Sequence, residues 1–172
     1  MNRLVLLVAA MILLAPVQAR TLQKLDAPHM APGFELPGTD GISKRFEDYR
    51  GRYLLVNFWA VWCAPCRSEM PAMERLYEKY AGDDFELLAI HVGPSTAGAK
   101  RYAESLGLRF PILVDEQMAL SDWAVKGLPT TYLIDPQGRI VAQAVGELQW
   151  DAPATRKALD GLLGRREQPS RN

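Results

Sequence analysis

The chain has 172 residues, and its 20 lysines and arginines are balanced by 20 aspartates and glutamates. A chain without net charge has no general electrostatic attraction for nucleic acid or anionic lipid, and no nucleic-acid partner is expected. With 48% apolar residues it can bury one ordinary core, and no repeat or low-complexity segment divides it.

In chain order, Met1-Asn2-Arg3 is a short positive start, Leu4 to Ala15 is an unbroken apolar run, and Pro16-Val17-Gln18-Ala19 ends in small residues. This pattern predicts a secretory signal peptide over residues 1–19, with an uncleaved anchor to the inner membrane as the alternative. The run is shorter than the roughly 20 apolar residues that a membrane span needs. Residues 20–30 are expected to be a flexible segment, 31–164 a single domain and 165–172 a polar tail. Residues 31–41 (APGFELPGTDG) read as a short edge strand among turns. Residues 53–59 (YLLVNFW) read as a buried central strand. From about Cys63 a helical pattern runs to Tyr80, with Met73, Leu76, Tyr77 and Tyr80 at i, i+3, i+4, i+7. Pro71 should kink this helix. Residues 85–92 (FELLAIHV) predict a second buried strand, and 97–106 a helix capped by Gly107. Then come a strand at 110–114, a short helix at 118–125, a strand at 130–134, a turn at Asp135-Pro136-Gln137-Gly138, a returning strand at 139–145 and a closing helix at 152–163. The order βαβ, α, hairpin, α predicts an α/β fold in which helices flank a mixed sheet, with the 110–114 strand in an insertion between the two halves.

Cys63 and Cys66 are the only cysteines. A bridge between them closes a loop too small to restrain the unfolded chain much, so chemistry explains the pair better than stapling does. Cys63 is expected where a strand ends and a helix begins, where unpaired backbone N–H groups and the helix dipole favour a thiolate. Cys66 lies one turn further on, within reach of Cys63. Of the supporting residues, Ala64 and Pro65 form the spacer, with Pro65 suited to a first helical turn, and Arg67 adds a positive charge. The geometry fits a reversible disulfide: Cys63 attacks a substrate disulfide and Cys66 resolves the mixed disulfide. A zinc site would need about four ligands, and only His29 and His91 could join the pair. A copper(I) site of two thiolates is chemically possible, but no Met or His stands beside them.

WAVWCAPCR resembles the W-C-x-P-C active site of the thioredoxin superfamily. APGFELPGTDG followed by FEDYRGRYLLVNFWAVWCAPCRSEMP, then FELLAIHVG, FPILVD and GLPTTYLIDPQGRI, resemble in order the segments of TlpA/ResA-type thioredoxin-like proteins of bacterial envelopes. The resemblance covers nearly all of residues 31–163. It implies a thioredoxin fold with a central insertion, Cys63 as the exposed nucleophile, Cys66 as the buried resolving cysteine, and a cis bond before Pro129 that presents the backbone of Leu128 to substrate. Trp62 would flank the disulfide. Thioredoxins carry a buried Asp six residues before the first cysteine; here Asn57 stands there. The resemblance to ResA-like members suggests Glu86, on the following strand, as the replacement proton-handling group, its pKa raised by burial. Thr130 after Pro129 is unlike the Glu common in CcmG-type proteins. Ala60 occupies the place of the Thr that peroxiredoxins need. Trp59, Trp123 and Trp150 are expected in the core, and His91 as a satisfied core or rim histidine.

The function expected is that of a periplasmic thiol:disulfide oxidoreductase acting as a monomer, with no metal and no cofactor besides the Cys63–Cys66 disulfide. The resemblance implies that it reduces disulfides of client proteins, such as apocytochrome c or copper-oxidase assembly factors, with electrons from a DsbD- or CcdA-type membrane partner. A DsbA-like oxidase and a non-enzymatic copper(I) carrier are the alternatives.

Overall fold

The computed structural model describes residues 21–118 and 121–165. The signal-peptide segment and the end of the predicted tail lie outside them. The elements are β1 (Gln23–Met30), β2 (Glu35–Pro37), β3 (Ser43–Arg45), β4 (Tyr53–Trp59), α1 (Ala64–Tyr80), β5 (Phe85–Val92), α2 (Thr96–Leu106), β6 (Ile112–Asp115), β7 (Thr130–Ile134), β8 (Arg139–Val145) and α3 (Pro153–Leu162). Short 3-10 turns occupy Phe46–Tyr49 and Ser121–Trp123.

One six-stranded sheet runs in the order β1-β8-β7-β4-β5-β6, and β2 and β3 form a separate hairpin. β4, β5 and β6 are parallel, whereas β7, β8 and β1 are joined by antiparallel pairing. This is the mixed sheet of a thioredoxin fold, with α2 and β6 inserted between the βαβ half and the β7–β8 hairpin half. β4 and β5 are near-continuous apolar runs because a central parallel strand is covered on both faces. Alternation then divides their side chains. Leu55 and Trp59 of β4 and Phe85, Leu87 and Ala89 of β5 pack with α1 residues Met70, Met73 and Leu76. Leu54, Val56 and Phe58, with Leu88 and Ile90, face the opposite layer. There Trp123 stands against Phe34, Phe46, Phe58 and Tyr132 at centroid separations of 5.3–6.3 Å.

The helices end where their sequences stop supporting them. Gly107 caps α2 with φ 63°, a left-handed conformation that costs glycine no Cβ clash. Gly138 closes the β7–β8 turn with φ 85°, and any Cβ there would meet the Arg50 guanidinium. α1 continues through Pro71 to Tyr80.

Two expectations are corrected. Residues 23–30 are not a flexible segment but the edge strand β1, paired with β8 from Gln23↔Gln143 to Met30↔Arg139. Its side chains are nearly all exposed and show no alternation; backbone hydrogen bonds to β8, with Leu22 buried just before them, hold it in place. Among the described residues, the helix expected at 118–125 is reduced to the Ser121–Trp123 turn, and Met118 and Ala124 have positive φ. Insertion of Trp123 into the aromatic cluster takes precedence over helix propagation there. No helix among the described residues is long and apolar enough to cross a membrane.

Candidate active site

Cys63 lies at the junction of β4 and α1, as its position after a buried strand predicts. It is the N-cap of α1, and its Sγ accepts from the Cys66 backbone N–H at 3.3 Å. Pro65 falls in the first turn, where its missing N–H costs nothing. The cysteines form a disulfide with Cα atoms 5.3 Å apart. Cys63 keeps 6% of its surface open and Cys66 none, so solvent reaches the pair through Cys63. The helix start would also favour a Cys63 thiolate once the bond is reduced. Ala64 and Pro65 are exposed, and the exposed Arg67 directs its guanidinium onto the Val61 carbonyl.

Behind the disulfide lies a carboxyl that sequence reasoning missed. Glu69 is one helical turn beyond Cys66 and only 1% exposed. Its Oε1 accepts from Asn57 Nδ2 at 2.9 Å, and its Oε2 accepts from the Leu148 N–H and the Trp150 indole N–H, both at 3.1 Å. Asn57 Nδ2 also donates to Thr131 Oγ1 at 2.9 Å. Burial pushes Glu69 up to about 7, against the opposing pull of the Leu148, Trp150 and Asn57 donors. A carboxyl held there exchanges its proton near neutral pH. Trp150 is therefore a polar partner of Glu69 as well as a core residue. The loop that brings Leu148 and Trp150 is joined to α1 through the Ser68 hydroxyl, which donates to the Glu147 carboxylate.

Glu86, expected beside the cysteines, is elsewhere. It opens β5 opposite Leu54, five rungs from the Trp59↔His91 pair that leads into the active-site turn. Its side chain meets Tyr77 near the C-terminal end of α1, the end of that helix away from the cysteines. Its Oε1 accepts from the Leu87 N–H at 3.1 Å. Burial raises its pKa, and the Leu87 N–H and Arg52 pull it back. It is half-buried beside Tyr77 and Arg52, at the far end of the sheet. The sequence signal that could have found Glu69 was its spacing: three residues after Cys66 on a helix is the same face, one turn along.

The Leu128–Pro129 peptide is cis. Thr130 pairs with Phe58, so Pro129 lies level with the end of β4 where the cysteine turn begins. Trp62 is 70% exposed. Together with Leu128, Gly127, Met118, Val125 and Phe58 it lines a groove of about 340 Å³. Trp59 and Trp123 are core residues. His91 is fully buried and accepts from the Val61 N–H through Nε2 at 3.2 Å.

Residues 28–143 match the AhpC/TSA family. The chain is 32% identical over 171 residues to the thiol-disulfide oxidoreductase ResA of Bacillus thuringiensis, covering 94% of this chain and 95% of that one. It is 43% identical over 111 residues to the ResA of Geobacillus thermodenitrificans, spanning 64% of each. Among solved structures, a Chlorobium tepidum protein described as a thiol:disulfide interchange protein DsbE superposes with a TM-score of 0.74 at 32% identity, over 81% of this chain and 99% of that one. With a cysteine pair at a helix start, a cis-proline level with it and these relatives, the chain belongs to the AhpC/TSA thioredoxin-like family and is a thiol:disulfide oxidoreductase.

Proposed function

We propose that the protein is an exported reductant of disulfides in client proteins. Reduced Cys63, as the thiolate, attacks one sulfur of a client disulfide. A mixed disulfide forms and the other client sulfur leaves as a thiolate that takes up a proton. The Cys66 thiol gives its proton to the Glu69 carboxylate, attacks Cys63 Sγ and expels the second client thiolate, which is protonated in turn. The client gains two electrons and two protons, and the protein is left with the Cys63–Cys66 disulfide.

The observation that carries this reading is Glu69, a fully enclosed carboxyl one turn behind Cys66. It supplies a proton acceptor for the buried thiol, which the sheet and helix shut off from water. As a carboxylate it also disfavours a second negative charge at Cys66, so it withholds stabilisation from the reduced dithiolate and lowers the reduction potential. The groove between Trp62 and Leu128 would receive the client chain, with the Leu128 backbone beside Cys63. The cysteine pair is the whole redox apparatus in this reading, and electrons return from a membrane donor of the DsbD or CcdA type. The apolar run at Leu4 to Ala15 supports export to the periplasm. Proteins that mature cytochrome c or copper oxidases are the client class suggested by the resemblance.

The deciding experiment is equilibration of the couple with thiol buffers of known potential. A value near about −270 mV identifies a reductant, whereas one near about −120 mV identifies a disulfide donor and reverses the direction proposed here.

A further inference from the structure

His91 stands at the end of β5, between Trp59 of β4 and Val114 of β6, on the side of the sheet that faces α1. It is wholly buried, although nothing in the exchange chemistry above uses it. Its Nε2 accepts the Val61 N–H at 3.2 Å, so the imidazole is neutral with the proton on Nδ1. Nδ1 faces the backbone of Gly93 without completing a hydrogen bond of ordinary geometry. The Trp59 indole meets the imidazole edge-on at 5.2 Å, and Tyr102 packs on Trp59 at 5.7 Å.

Val61 belongs to the turn that delivers Cys63. The Cys63 N–H closes that turn on the Ala60 carbonyl at 3.0 Å. The Val61 carbonyl is held by Arg67, and the Arg67 carbonyl accepts from the Tyr102 hydroxyl at 2.9 Å. The turn is thus gripped from one side by the helix and from the other by a strand. The strand's grip is a single imidazole lone pair. Trp62, the next residue in this turn, is exposed.

We propose that His91 is a positioning residue for the nucleophile: its neutral imidazole anchors Val61 and so holds Trp62 and Cys63 in the orientation that meets a client disulfide. Protonation of Nε2 would remove the acceptor and set two donors face to face, which releases the turn. Burial, the largest influence, holds the His91 pKa below the usual histidine value, against the Gly93 backbone and the Glu116 carboxylate, which favour the charged form. The charged and titratable groups around it are Arg67 from α1, Tyr102 from α2, Asp115 at the end of β6 and Glu116 beyond it, together with the cysteines themselves. Acidification below the ordinary histidine range, to where the lowered His91 pKa lies, would therefore loosen the turn, and neutral pH would restore it.

The test compares His91→Gln and His91→Leu with the wild type, using insulin as the disulfide substrate and pH profiles of kcat/KM for the fully reduced proteins. A Gln side-chain oxygen reaches the place of Nε2 and does not titrate; Leu offers no acceptor. His91→Leu is expected to lose about tenfold at pH 7.5, the effect of one missing hydrogen bond. His91→Gln should stay within about threefold of wild type, by the same scale, and should lose the part of the acid-side fall that His91 causes. Both Cys63 and Glu69 are kept in wild type and in His91→Gln, so the difference between those two profiles is read at position 91. A His91→Gln profile superimposable on wild type overturns the proposal, as does equal activity of the Gln and Leu variants. If His91→Leu fails to fold, the Gln comparison decides alone. The proposal rests on Cys63 as the attacking thiol; Cys63→Ser measured alongside separates a failure of that assignment from a failure of this one.

Discussion

Two carboxyls in this molecule are raised above the ordinary glutamate range by the same cause, burial, and yet occupy opposite situations. Glu69 sits inside the α1 layer and is surrounded by three donors, from Asn57, Leu148 and Trp150. Glu86 sits at the open end of β5, half-buried, with a backbone N–H from its own neighbour and Arg52 nearby. Burial alone therefore does not mark the group that serves the cysteines. What separates the two is distance along the fold: Glu69 stands one helical turn beyond Cys66, while Glu86 stands beside Tyr77, five rungs down β5 from the active-site end of the sheet.

The largest effect that sharpens this contrast is loss of the nucleophile. Cys63→Ser should lower insulin reduction by more than about a thousandfold, since no other group can form the mixed disulfide. Glu69→Gln should lower turnover by about a hundredfold, the low end of the usual loss when a general acid–base group is deleted, and remove an inflection near pH 7 from the rate profile. Glu86→Gln, measured in the same assay, should stay within about twofold and keep that inflection, because it has no part in the proton path. Equal losses in the two Gln variants would dissolve the distinction between the carboxyls.

Stability against pH gives the next contrast. Burial pushes Glu69 up to about 7 in the folded chain from its ordinary 4.5, so between these values the folded protein holds the extra proton. Stability is fully present below pH 4.5 and is lost as pH rises through 7. The contribution is about 3 kcal/mol, since each unit of pKa shift corresponds to about 1.4 kcal/mol. Urea unfolding of the disulfide form at pH 4.5 and pH 8 should show this loss in wild type and not in Glu69→Gln. His91, whose folded pKa is lowered, works in the other direction: its contribution grows as pH rises toward the unfolded value near 6.5 and then levels off. Comparison of wild type with each variant keeps the two slopes apart. The smallest effect is expected from Trp150→Phe, which removes one donor from the Glu69 carboxylate. It should cost about 1 kcal/mol and move the Glu69 inflection upward, because the charged form loses a partner.

The central strands and α1 were readable to the residue or nearly so, because β4 and β5 are long apolar runs bounded by turns and α1 carries its stripe at helical spacing. The cysteine pair and the cis-proline were legible as motifs. β1 was not, since an edge strand held by backbone bonds carries no side-chain alternation to read. The Ser121–Trp123 turn was mistaken for a longer helix because the demand comes from distant rings, Phe34, Phe46 and Phe58, which local sequence does not reveal. Glu69 was overlooked because in RSEMP it resembles one more charged residue on a solvated helix. Its partners stand at positions 57, 131, 148 and 150, and only the folded chain gathers them.

That Cys63 and Cys66 are the sole sulfhydryl sources in the chain has a bookkeeping consequence. The molecule can hold two electrons or none, and the one intermediate state is the one in which it is chained to a client. No third thiol can rescue a stalled adduct, so release depends on Cys66 alone. Take that cysteine away, and each molecule should keep the first client it catches, which turns a catalyst into a register of the proteins it has met.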